Sequence, residues 1–138
     1  MKKQILLSFI ILLVLSSCHL TVVEEPHVHV DVRDRFLGVF EVEEYSETFD
    51  AYSYYHIDIV ALHGEPYSVI LRNFYGADID VIADVEGNYL YIPSQDVGGF
   101  HIEGEGSVSG NRLELSYYVH DYLAYRDITD HCHSVAWR

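Results

Sequence analysis

Val85-Glu86-Gly87-Asn88-Tyr89-Leu90-Tyr91-Ile92 returns 23 residues later as Val108-Ser109-Gly110-Asn111-Arg112-Leu113-Glu114-Leu115. In each copy a Gly-Asn pair separates two runs of alternating side chains. Gly and Asn tolerate the positive φ of tight hairpin turns, so each copy predicts a hairpin. The spacing equals two strands and two turns, so successive hairpins point the same way. That fits an up-and-down meander rather than a Greek key. Two copies are too few for a repeat protein.

The same grammar extends in both directions. From Phe36 onward the chain shows short alternating runs bounded by turn residues, with no convincing 3.6-residue period. Strands are predicted over 36–45, 54–62, 67–72, 79–84, 89–92, 99–108 and 112–120, with one or two more from 122–126 and 131–137. Val60 and Leu62, Val81 and Ala83, and Leu113 and Leu115 share faces by their spacing of two. Phe100, Ile102, Gly104 and Gly106 alternate with His101, Glu103 and Glu105, which predicts one face in the core and one in water. The two glycines on the inner face mark a bend or a close approach. The fold expected is all-β: a small antiparallel up-and-down barrel of about eight strands, since closure removes exposed edges. An open sheet folded over on itself is the alternative.

Working outward to the N-terminus, Lys2 and Lys3 precede an apolar run over residues 5–15 and then Leu15-Ser16-Ser17-Cys18. The run is about half the roughly 20 residues that a membrane-spanning helix needs. A basic start, a short apolar stretch and small residues before a cleavage point are the layout of a secretory signal. The last four residues resemble the lipobox of bacterial lipoproteins. The resemblance implies cleavage before Cys18, a diacylglyceryl group on its thiol and acylation of the new amine. Such an anchor would be stable. His19 in place of Asp implies, by the same resemblance, the outer membrane, with its periplasmic or surface face left open. The expected organisation is therefore a signal over 1–17, a lipidated tether over 18–35 whose second half alternates and could add a strand, and a barrel over 36–138.

Charge narrows the partners. The chain carries 8 Lys+Arg against 22 Asp+Glu, a formal net charge of −14. Both lysines lie in the signal, so the mature chain would hold no Lys and a charge of about −16. Phosphate backbones and anionic headgroups are repelled by such a surface, which argues against nucleic acid. With Cys18 lipidated, Cys132 has no partner within the chain, and a buried, inert thiol is expected.

Phe36-Leu37-Gly38-Val39-Phe40 resembles the opening strand of lipocalins and related calycin barrels. Further likenesses are Asn73-Phe74, Ile92-Pro93-Ser94-Gln95, Gly104-Glu105-Gly106, the Gly-Asn turn and Cys132 near Trp137. Together with the lipobox they make the chain similar to small lipocalin-like bacterial lipoproteins of unknown function. The resemblance implies the fold more than an activity. It departs from the group in lacking a second Cys in the first hairpin to pair with Cys132.

Two residue types are in excess. Nine His are present, and His27-Val28-His29 and His131-Cys132-His133 each put two imidazoles on one face of an extended chain. Brought side by side, His27, His29, His131 and His133 would suit zinc or copper. Otherwise no cofactor beyond the covalent lipid is expected. Twelve Tyr also stand out. Tyr54, Tyr89, Tyr91 and Tyr117 are candidate ligand contacts, because Tyr joins a large apolar body to a hydroxyl that can stay wet.

An enzyme is not expected. GxSxG, Walker, dinucleotide-binding and HExxH patterns are all missing from the sequence. The acid pairs Glu41/Glu43 and Asp78/Asp80 fall on outward faces. Cys132 and its neighbouring histidines point to opposite sides of a strand. The leading expectation is a membrane-anchored, non-enzymatic binding module of the cell envelope, holding a small apolar ligand or a protein partner. The alternatives are a structural or interaction lipoprotein with a solid barrel, and a His-rich periplasmic metal-binding protein. A barrel this small can be filled by its own side chains, and binding would then use the outer face or the rim.

Overall fold

The computed structural model describes residues 30–124 and 127–138. Over them run β1 (Gly38–Ser46), β2 (Ala51–Ala61), β3 (Ser68–Phe74), β4 (Ile79–Glu86), β5 (Tyr89–Val97), β6 (Phe100–Ser109), β7 (Arg112–Asp121) and β8 (Thr129–Trp137). Each strand pairs antiparallel with the next, and β8 returns to β1, so the sheet closes as an up-and-down barrel. The two Gly-Asn pairs form the two-residue turns between β4 and β5 and between β6 and β7. In each, the glycine takes a positive φ (59° at Gly87, 61° at Gly110) while the Asn does not. That suits a turn with Gly at its first central position.

Alternation decides which side of each strand is inside. Phe40 and Val42 on β1, Ile57 and Ile59 on β2, Val81, Ala83 and Val85 on β4, and Leu113 and Leu115 on β7 are all buried. Every strand contributes apolar side chains to one continuous core. On β2 the inward pair is Ile57 and Ile59, whereas Val60 and Leu62 are half-buried. That end of the strand is apolar on both sides, so pattern alone left its register ambiguous.

One end of the barrel is sealed. A 3-10 turn over Val32–Arg35 lies there, where the sequence suggested a strand at the end of the tether. The Asp31 side chain accepts from the Arg33 backbone N–H (2.9 Å) and caps the turn, a local bond that competes with extended structure. The Arg33 guanidinium donates to the carbonyls of Leu62 (3.2 Å) and Glu65 (2.8 Å), fixing the turn across the β2–β3 connection. Phe36 follows, fully buried. At the other terminus the Arg138 guanidinium stands 5.1 Å over the Phe40 ring and donates to the Leu37 and Arg35 carbonyls. The aromatic-Gly-aromatic opening of β1 thus serves as the floor of the barrel.

Two departures from pattern have clear causes. Pro93 has no N–H to give β4, and a bulge interrupts β5 between Ile92 and Gln95. The Gln95 side chain takes over, accepting from the Ile82 N–H (3.0 Å) and donating to the Ile82 carbonyl (2.7 Å). β5 therefore continues to Val97 instead of ending at Ile92. Residues 122–124, by contrast, form a bend instead of a strand. The Asp121 carboxylate accepts from the Leu123 (2.8 Å) and Ala124 (3.1 Å) N–H groups and terminates β7.

Candidate functional site

Inside the barrel, polar residues gather toward the end opposite the 3-10 turn. Period two places Glu44 and Ser46 on the same face of β1 as Phe40 and Val42, and both are buried. The Glu44 carboxylate accepts from the hydroxyls of Tyr55 (2.5 Å), Tyr117 and Ser134 (3.3 Å). Asp130, also buried, accepts from Ser46 and from Tyr75 (2.6 Å). All of these donors are neutral. Burial first, and the Glu44 charge next, push the Tyr55 hydroxyl far above its ordinary range. Burial also raises Tyr75 and Tyr117. Cys132 lies on the same inner face, and burial with the nearby Glu44 charge drives its thiol well up. The thiol stays protonated and is a poor nucleophile or metal ligand.

A hollow of about 90 Å³ opens at this mouth, lined by Phe49, Tyr75, Phe100, Val119 and Asp130 among others. Ligand pockets are commonly about 300–1,000 Å³. The mouth has room for water, or for a group of a few atoms.

Larger hollows than this lie on the outer wall. A hollow of about 550 Å³ lies against Tyr67, Asp84, Glu86, Tyr89 and Tyr91. Next to it, about 410 Å³ is lined by Tyr89, Tyr91, Glu105, Glu114 and Ser116. A third, of about 310 Å³, continues past Tyr91 and Glu105 to Glu103, Tyr118, His131 and His133. Shared residues join the three into one trough crossing β4 to β8.

Cross-strand register produces its lining. Tyr91 stands opposite Glu105, and Glu103 opposite Tyr118, whose hydroxyl donates to that carboxylate at 2.7 Å. That bond holds the Tyr118 hydroxyl above its usual value. Gly104 and Gly106 lie where the trough crosses β6. A Cβ at Gly104 would come 2.3 Å from the Tyr117 Cβ, and one at Gly106 2.5 Å from the Glu114 carbonyl oxygen. β6 and β7 can approach this closely only because both side chains are absent.

No protein-family model matches the chain, and no curated protein matches it. Among solved structures it is similar to a redesigned β-barrel, at 10% identity and a TM-score of 0.57, over 80% of this chain and 96% of the other. At that identity the likeness shows the fold alone, an eight-stranded antiparallel barrel.

The candidate residues separate accordingly. Tyr89 (71% exposed) and Tyr91 (52%) stand together on the trough, and Tyr54 (72%) stands on β2, three strands away. Tyr117 faces inward, and its hydroxyl is committed to Glu44. Leu113 and Leu115 already imply that inward face by period two. His131 and His133 share the outer face of β8, as expected. His131 lies beside the Tyr118 ring (6.1 Å between centroids), while His133 bridges Ser116 (2.9 Å) and Glu47 (3.0 Å). Cys18, His27 and His29 lie outside the described residues. Among the described residues no group of three His, Cys, Asp or Glu is placed to hold a metal ion.

Ser94, His101 and Asp96 form a chain of the order found in hydrolytic triads, at 3.1 and 2.7 Å. Such a triad relies on a buried carboxylate to hold the imidazole. Asp96 is 73% exposed, so the chain is a solvated surface bridge.

The acid pairs Glu41/Glu43 and Asp78/Asp80 are exposed. Glu44, Tyr67, Tyr118 and the trough acids were not singled out from the sequence. Glu44 was readable from the alternation of β1; the trough depends on pairings between strands.

Proposed function

We propose that this chain is a lipid-anchored, lipocalin-like binding module of the bacterial cell envelope that engages a protein partner through its outer wall. The observation carrying this reading is the contrast between the two surfaces of the sheet. Among the described residues the inner surface is packed with apolar side chains and has a hollow of about 90 Å³ at its mouth, whereas the outer one holds a tyrosine-lined trough. Isolated exposed tyrosines are ordinary, but a contiguous concave row of them is a feature of contact surfaces. The lipobox-like sequence at Cys18 supports the anchor. The described chain begins at the sealed end, so a tether leading back to Cys18 would leave from the end opposite the mouth.

Two experiments test the reading. Cys18→Ala should abolish incorporation of labelled fatty acid and move the protein from the membrane to the soluble fraction. A photo-crosslinking residue at position 91 should give a discrete adduct in intact envelopes, and one at position 41 none. Adducts from both positions alike, or from neither, would contradict an outer-wall binding face.

A further inference from the structure

Resting on that reading, we infer that the trough accepts an extended polypeptide segment bearing Lys or Arg side chains. Charge and aromatic chemistry alternate along it. Tyr91 faces Glu105 and Tyr118 faces Glu103 across neighbouring strands, while Asp84 and Glu86 flank Tyr89 and Tyr91 on the other side. A cationic side chain laid there meets a ring face and a carboxylate together, and the two attractions reinforce one another. Among the described residues, nearby cations are already committed: Arg112 pairs with Glu114 at 2.6 Å, and Arg35 donates to the Asn88 side chain. Among the described residues Glu103 and Glu105 form no ion pair, and Glu103 accepts from the neutral Tyr118 hydroxyl.

The length of the trough suits a segment rather than a small ion. Its three hollows span five adjacent strands, and neighbouring strands lie about 4.8 Å apart, giving a run of roughly 20 Å. An extended chain covers that in about six residues. Charge also excludes the other occupants. A second mature copy would bring a net charge of about −16 (6 Arg against 22 Asp+Glu) against this wall, and anionic lipid headgroups would be repelled in the same way. The tyrosines supply contact area at low entropic cost, and the carboxylates set the sign of the partner.

The test uses the purified protein with octa-arginine, octa-lysine and octa-glutamate peptides, and with vesicles of phosphatidylglycerol. The cationic peptides should bind, octa-arginine more tightly, with affinity falling as salt rises; octa-glutamate and the vesicles should not. The double change Glu103→Gln/Glu105→Gln should lower octa-arginine affinity about tenfold, and Tyr91→Ala about three- to fivefold. Glu41→Gln/Glu43→Gln removes the same charge from exposed positions on β1 that line none of the hollows, and should leave affinity within about twofold. Equal losses from the two double variants would overturn the inference, since diffuse acidity would then explain the binding. Failure of both cationic peptides to bind would overturn it as well. In either case a position-91 adduct in envelopes would still uphold the outer-wall reading, with a partner of different chemistry.

Discussion

At the scale of single residues, Glu44 is a buried carboxylate whose partners among the described residues are hydroxyls and no cation. Three hydroxyls converge on it, and removing one leaves a buried acceptor short of a partner. Tyr117→Phe should therefore cost about 1–3 kcal/mol, read as a lowered denaturant midpoint at unchanged slope. The raised groups around Glu44 make a pH prediction with a definite sign. Cys132, Tyr55, Tyr75 and Tyr117 stay protonated in the fold, whereas unfolding returns them to ordinary values of 9.0 for the thiol and 10.0 for the phenols. Above those values the unfolded chain binds fewer protons than the native one, so stability falls as pH rises. The contribution is fully present below pH 9.0 and should erode from there upward, more steeply beyond 10.0. Chemical denaturation between pH 8 and 11 would show it, and a flat midpoint over that range would contradict it. The sequence made Cys132 legible as a buried thiol. It made Glu44 legible only through the register of β1, where two acids in a row, Glu43 and Glu44, have opposite fates.

At the scale of elements, the strands and their order were readable because alternation and turn chemistry agree. The departures came where a side chain replaces the backbone in a bond. Gln95 bridges the gap left by Pro93, so Gln95→Ala should cost about 1–2 kcal/mol and speed hydrogen exchange at the Ile82 amide. Asp31 and Asp121 act in the opposite sense, drawing the chain into a turn where strands were expected. Gly104 belongs to this scale too. A methyl group there meets both the Tyr117 Cβ and the Ser116 carbonyl oxygen, so β6 and β7 must separate. Gly104→Ala should destabilise by about 1–3 kcal/mol or more and loosen both the Glu44 cluster inside and the trough outside. Retained stability would mean that the close approach of these strands is not needed.

At the scale of the whole molecule, closure of the sheet divides the chain into an inner surface that stabilises and an outer surface free to recognise. Fold class was legible from one repeated hairpin. The proposed binding face was legible only in part, since Tyr89 and Tyr91 stood out in the sequence while the acids beside them come from neighbouring strands. No single-strand pattern shows which outward residues will stand side by side after closure. The central claim is that recognition belongs to the wall and not to the interior. It is tested most directly by titrating octa-arginine into isotopically labelled protein and following backbone amide shifts. Shifts should concentrate at Tyr89, Tyr91, Glu103, Glu105, Ser116 and Tyr118. Shifts centred instead on Tyr75, Phe100, Val119 and Asp130 would place binding at the mouth and contradict it.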